Sequence, residues 1–159
     1  MARRGLPASF RGAWRRLEGP LGAFTAAERR HKYLMVAGGI GITPIRALIE
    51  SLAAAGHDIV LLYSVRTAAD LVFASELRAL TAHCHFIQSR HTENAETGEE
   101  TNVGHERGRI DLRMLTRLVP DVRDREVFIC GPQPMMKTVA AALGELQVRE
   151  SSIHYEQFA

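Results

Sequence analysis

Gly38-Gly39-Ile40-Gly41-Ile42-Thr43-Pro44 decides how this chain reads. Ahead of it runs Tyr33-Leu34-Met35-Val36-Ala37, an apolar stretch of strand length. Behind it Ile45, Leu48, Ile49 and Leu52 recur at helical spacing. A buried strand therefore passes through a glycine turn into a helix. Thr43 is placed to cap that helix with its hydroxyl, and Pro44 sits where a missing N–H costs nothing. Glycines let a backbone approach a ligand closely, and the free N–H groups of a helix start suit a pyrophosphate. The competing reading is a tight strand-to-helix turn with no ligand. Gly38, Gly39 and Gly41 together exceed what such a turn needs.

The same alternation continues toward the carboxyl end. Asp58-Ile59-Val60-Leu61-Leu62-Tyr63-Ser64 is a second near-continuous apolar run, as expected of a strand covered on both faces. Ala68 to Ala82 has the pattern of a helix, with Leu71, Ala74, Leu77 and Leu80 on one side. His85-Phe86-Ile87-Gln88 fits a third strand, and Ser89 to Arg107 is polar and glutamate-rich, without an apolar period. That stretch reads as a long solvated loop. Asp111 caps a short helix through Leu118, Glu126-Val127-Phe128-Ile129-Cys130 is a strand, and Gly131-Pro132-Gln133-Pro134 opens a helix through about Leu146. Ile153-His154-Tyr155 supplies the last strand.

Strands alternating with helices, over connections too long for hairpins, predict an α/β fold. The expected architecture is a parallel, five-stranded, doubly wound (Rossmann-like) sheet with helices on both faces. Ligands of such sheets bind outside the strands' carboxyl ends, where the strand order reverses. Gly38–Thr43 and Cys130–Pro132 both fall at strand carboxyl ends and so predict a cleft.

Composition bounds the rest. With 159 residues, 46% hydrophobic and 24% charged, the chain can bury one ordinary globular core. A formal charge of +2 gives little support to nucleic-acid binding, even though the first 30 residues hold seven arginines interleaved with Trp14, Leu17, Leu21 and Phe24. No apolar run approaches the roughly 20 residues that span a bilayer. Cys84 and Cys130 lack metal-ligand spacing and read as reduced thiols in a cytoplasmic protein. His83-Cys84-His85 is no metal cluster, because neighbours on a strand face opposite ways.

Four segments, in order, resemble the nicotinamide-nucleotide domain of the ferredoxin–NADP reductase superfamily, and most closely its ferric-reductase and NADPH-oxidase-like branch. Gly19-Pro20-Leu21-Gly22-Ala23-Phe24 is similar to the last strand of the flavin-binding barrel, and Ala37 to Pro44 to the pyrophosphate loop. Cys130-Gly131-Pro132 with Met135 resembles the nicotinamide-side turn, and Glu156-Gln157-Phe158-Ala159 the carboxyl terminus that reaches the flavin. The resemblance divides the chain into an arginine-rich lead-in over 1–32, carrying a remnant of the barrel, and an NAD(P)-binding domain over 33–159. The barrel itself, with its own flavin motifs, is not in the sequence. FAD is thus expected at the edge of the domain, held mostly by a flavin-binding domain or subunit elsewhere.

The resemblance implies hydride transfer from NADPH or NADH to FAD, then single-electron transfer to haem, an iron–sulfur protein or ferric iron. Such transfer needs two stacked rings rather than a side-chain acid or base at the reacting carbon. Gly38, Gly39, Gly41, Ile42, Thr43 and Pro44 would hold the pyrophosphate, and Gly131, Pro132 and Met135 would flank the nicotinamide. On residue type alone Cys130 is a small core residue ending a strand; the resemblance places its sulfur beside the ring. It likewise implies that Phe158 covers the flavin and that Glu156 assists at the reaction centre. The second strand ends Ser64-Val65-Arg66 with no carboxylate to bond a ribose 2′-hydroxyl. The resemblance places Ser89 and Arg90 on a 2′-phosphate, so NADPH is favoured over NADH. A membrane would enter only through a partner, at its cytoplasmic face. The alternative is a nucleotide-binding sensor or partner subunit without turnover.

Overall fold

The computed structural model describes residues 32–90 and 105–156. All of the 1–32 lead-in except Lys32, the glutamates between 93 and 100, and Phe158 lie outside the described residues. Six parallel strands form one sheet in the order β4-β3-β2-β1-β5-β6. They are β1 (Lys32–Gly38), β2 (Asp58–Val65), β3 (His83–Gln88), β4 (His105–Arg107), β5 (Glu126–Cys130) and β6 (Ile153–Glu156). The helices are α1 (Ile42–Ala54), α2 (Ala74–Leu80), α3 (Leu112–Leu118) and α4 (Gln133–Glu145).

The two-residue period of the strands divides the core. Leu34, Val36, Val60, Leu62, Val127 and Ile129 pack with α3 and α4 through Met114, Leu115, Met136, Val139 and Leu143. Met35, Ala37, Leu61, Tyr63, Phe128 and Cys130 face the other way, against Ile42, Ile45, Ile49 and Leu52 of α1 and Leu77 of α2. Each central strand is apolar throughout because both of its faces are covered.

Three expectations change in detail. The sheet has six strands rather than five: the end of the polar 89–107 stretch pairs with β3, Phe86 opposite His105 through Gln88 opposite Arg107. An edge strand of three residues needs backbone pairing and no apolar run, so hydropathy is silent about it. The helix expected over Ala68–Ala82 is a single turn, Ala68–Asp70, then α2. Thr67 and Asp70 close a reciprocal capping box on that turn, and Phe73 enters the left-handed region at φ 60° under the Arg46 guanidinium, 5.1 Å from its ring. Finally, α1 begins at Ile42 with Gly41 as its cap residue and no side-chain cap. Thr43 lies inside the first turn and does not cap it. Pro44 is also within that turn, where its missing N–H removes no helical bond, as expected. Asp111 does cap α3, accepting from the Met114 N–H at 2.9 Å.

The amino ends of the strands are tied by charge. Arg125, 6% exposed, donates to Asp121 at 2.8 and 3.0 Å, to Asp58 at 3.3 and 3.2 Å, and to the Tyr33 carbonyl at 3.2 Å. Lys32 Nζ also donates to Asp121 at 2.8 Å. The Arg125 hydrogen bonds, with help from Lys32, hold the Asp121 carboxyl down at about 2. A depressed carboxyl pKa stabilises the fold above the unfolded-state value near ~3.9, and that stability is lost as pH falls toward the folded-state value. Denaturant midpoints of wild type should therefore drop between pH 4.5 and 2.5 by more than those of Asp121→Asn, which starts lower and loses less over that interval. Equal slopes for the two proteins would contradict the linkage.

Candidate functional site

The strand order reverses between β1 and β5, and both strands end in glycine turns that touch. A Cβ on Gly41 would meet the Cys130 carbonyl oxygen at 2.1 Å, and one on Gly131 would lie 3.0 Å from Gly38 N and Cα. Gly39 holds φ +53° with open space around it, the left-handed conformation that glycine adopts without strain. Over this junction lies a cleft of about 790 Å³. The residues expected at the nucleotide that line it are Gly38, Gly39, Ile42, Thr43, Ser64, Arg66, Ser89, Pro132 and Met135. Both α1 and α4 start at this cleft, with no side-chain cap and no acidic residue in the first turn. Two uncapped helix starts give it a positive field that suits a diphosphate.

Other expected residues stand behind the walls. Gly41, Pro44 and Gly131 shape the two turns without lining the cleft; Arg90 is exposed and outside its walls. Cys130 ends β5 fully buried on the α1 side of the sheet. Burial pushes its thiol up to about 12, with the Glu156 charge adding to the effect, so it is a neutral thiol at physiological pH. Glu156 ends β6 directly opposite Cys130, half-buried, and burial raises its carboxyl pKa.

Sequence reasoning missed several wall residues: Ile40, Tyr63, Asp70, Val72, Arg109, Ile110, Pro134 and Thr138 also line the cleft. Ile40 and Val72 are among the few exposed large apolar side chains of the described residues, at 74% and 47%. Val72 was hidden inside an apparent helix and Arg109 behind an apparent loop. Either signal required knowing that β4 exists and that the 68–82 helix is interrupted.

The model of the oxidoreductase NAD-binding domain family matches residues 35–141. The chain belongs to this family. This NAD-binding domain is 33% identical over 150 residues to the glycine betaine monooxygenase reductase subunit of Pseudomonas aeruginosa, a match covering 89% of this chain and 39% of that one. It is 32% identical over 147 residues to the ferredoxin reductase component of 3-ketosteroid-9-alpha-monooxygenase from Mycobacterium tuberculosis, covering 87% and 37%. The flavohem-like FAD/NAD-binding domain of nitric oxide dioxygenase from Vibrio cholerae O1 biovar El Tor superposes with a TM-score of 0.68 at 25% identity, covering 86% of this chain and 55% of that one. The NAD-binding domain thus spans well under half the length of the curated relatives it matches. Those relatives carry the expected ferredoxin-reductase resemblance; as reductase components of oxygenases, they make ferric reductase the looser description. Among the described residues no helix is long and apolar enough to cross a membrane.

Proposed function

We propose that this NAD-binding domain takes NAD(P)H into the cleft and presents it to FAD held mainly by a separate barrel domain or subunit. The observation that carries the reading is the contact of the two glycine turns beneath two uncapped helix starts. The fit is physical. The cleft is large enough for an extended dinucleotide, its glycine turn has room for a diphosphate, and Arg66 and Arg109 add cationic walls. A bound dihydronicotinamide would supply hydride to the flavin.

The chain's own residues hold and shield. Gly38, Gly39, Ile42 and Thr43 would bind the pyrophosphate, while Pro132 and Met135 form an apolar wall for the nicotinamide end. Cys130 would act from behind that wall as a small neutral thiol that keeps the strand end closely packed; a thiol held near 12 makes no nucleophile. Glu156, at the end of β6, and Phe158 beyond it would border the flavin. The relative named as a ferredoxin reductase component favours an iron–sulfur protein over haem or ferric iron as the acceptor. The proposed setting is the cytoplasm, with any membrane contact made through a partner.

The test has two stages. Calorimetric titration of the full chain should give saturable binding of NADPH, weaker binding of NADH, and loss of both in Gly39→Val, whose side chain strains the left-handed turn and fills the space over it. Joined to a flavin-binding barrel, the chain should then reduce ferricyanide at the expense of NADPH. Binding without turnover in the joined form would mean a nucleotide sensor instead.

A further inference from the structure

Phe73 departs from the usual geometry of a helix start. Among the described residues, it and Gln147 are the non-glycine residues with positive φ, both at 60°. Gln147 follows the end of α4, where a left-handed residue commonly stops a helix. Phe73 stands directly ahead of α2, at a position that ordinarily holds extended backbone, and a bulky residue is strained in the left-handed region. Strain of this kind persists only where neighbours over-determine it, and it gathers beside functional sites.

The neighbour here is Arg46, one turn into α1. Its Nε donates to Glu76 Oε1 at 2.8 Å, its Nη2 donates to the same oxygen, and its guanidinium lies 5.1 Å from the Phe73 ring centroid. Glu76 belongs to the first turn of α2. One guanidinium therefore grips that helix by its carboxylate and the residue ahead of it by its ring. The Leu77 N–H donates back to the Phe73 carbonyl at 2.8 Å, which fastens the strained residue to the helix that follows. Immediately upstream, Val72 lines the cleft, as does Asp70 of the Thr67 capping box. Val72 belongs to no strand or helix, so its place in the wall is set by the capping box on one side and the Phe73 backbone on the other. Arg46 reaches this wall from α1, the helix whose start forms the glycine-loop side of the same cleft.

We propose that Arg46 is a positioning residue for nucleotide binding. By stacking on Phe73 and pairing with Glu76 it holds residue 73 left-handed, and that turn keeps the Val72 wall in place before any nucleotide arrives. Without the guanidinium, Phe73 relaxes toward extended backbone and carries Val72 with it. Binding then has to include restoring the strained turn, and the affinity falls accordingly. This rests on the nucleotide reading of the cleft given above.

Calorimetric titration of NADPH on the full chain compares wild type with Arg46→Gln, Arg46→Lys and the double variant Arg46→Gln, Phe73→Asn. Arg46→Gln should weaken NADPH by ~5–30-fold, the range that matches the strain of a non-glycine residue in this region. Arg46→Lys keeps a cation for Glu76 and the ring and should recover part of the loss. Asparagine accepts left-handed backbone with little strain, so the double variant should bind within ~3-fold of wild type although it lacks the guanidinium. Amides of residues 71–77 should exchange hydrogen faster in ligand-free Arg46→Gln than in wild type, and alike in the two at saturating NADPH. The Arg46 and Glu76 side chains are 33% and 40% exposed, so thermal midpoints should move by less than ~4 °C. Unchanged NADPH affinity in Arg46→Gln, or a loss that Phe73→Asn does not restore, would overturn the positioning role. Failure of wild type to bind NADPH would instead remove the nucleotide reading itself.

Discussion

Gly41→Ala is expected to destabilise the NAD-binding domain severely. The added methyl would lie 2.1 Å from the Cys130 carbonyl oxygen, 2.5 Å from its carbon and 2.9 Å from Gly131 N, all backbone atoms. A flexible side chain could turn away; a strand end cannot. Cys130 is hydrogen-bonded into the sheet between β1 and β6, opposite Ala37 and Glu156, so retreat of its carbonyl would open two ladders. Moving α1 instead would lift Ile42, Ile45 and Ile49, each no more than 1% exposed, out of the core beneath it. Overpacking in a core ordinarily costs ~1–3 kcal/mol where side chains can shift. With backbone on both sides the cost should exceed ~3 kcal/mol, a large fraction of a domain's total stability. Loss of soluble protein, or a cooperative denaturation midpoint gone from the wild-type range, is the expected result. A stable, nucleotide-binding Gly41→Ala variant would show that the two turns are not held against each other.

The second large effect lies at the opposite end of the sheet. Arg125→Leu keeps much of the buried volume but removes the cation shared by Asp58 and Asp121. Breaking a buried pair from one side typically costs ~3–5 kcal/mol. Here the carboxylates keep about 30% of their side-chain exposure, so water recovers part of that and ~2–3 kcal/mol is expected. The Tyr33 carbonyl also loses a donor. The triple variant Arg125→Leu, Asp58→Asn, Asp121→Asn should regain much of the loss, since it strands no buried charge and leaves only the exposed Lys32 side chain without its carboxylate. Urea denaturation of the three proteins at pH 7 checks this; a triple variant no better than the single one would mean that the guanidinium acts through packing alone.

Where the chain is apolar, the sequence disclosed the fold; where it is polar, position came from pairing that hydropathy does not record. β5 is found over Glu126–Cys130 as expected, and β1, β2 and β6 within one or two residues at an end, because a strand covered on both faces must be apolar throughout. β4 escaped because His105, Glu106 and Arg107 carry no such pattern and are held by Gln88 and its neighbours. The break ahead of α2 escaped for a related reason. Leu71, Ala74 and Leu77 keep helical spacing, while the turn is imposed by Thr67, Asp70 and the stacking of Phe73 under Arg46. The glycine loop was legible as a ligand turn, since three glycines ahead of a helix are a local signal. That Gly41 serves packing while Gly38 and Gly39 face the cleft depends on β5, which arrives from far along the chain. The arginines divided in the same way: Arg66 was visible at a strand end, and Arg109 was not.

The register of the central strands sets a time at which the protein becomes useful. β1 pairs with β2 early, but its other neighbour is β5, with Tyr33 opposite Glu126 and Ala37 opposite Cys130. Until β5 emerges from the ribosome, β1 is an open edge whose apolar residues have no partner on that side. The floor beneath the glycine loop is missing for the same interval. Maturation of the pocket and closure of the sheet are therefore one kinetic event, and a nascent chain halted before Glu126 should be a client for chaperones without any capacity to hold a dinucleotide.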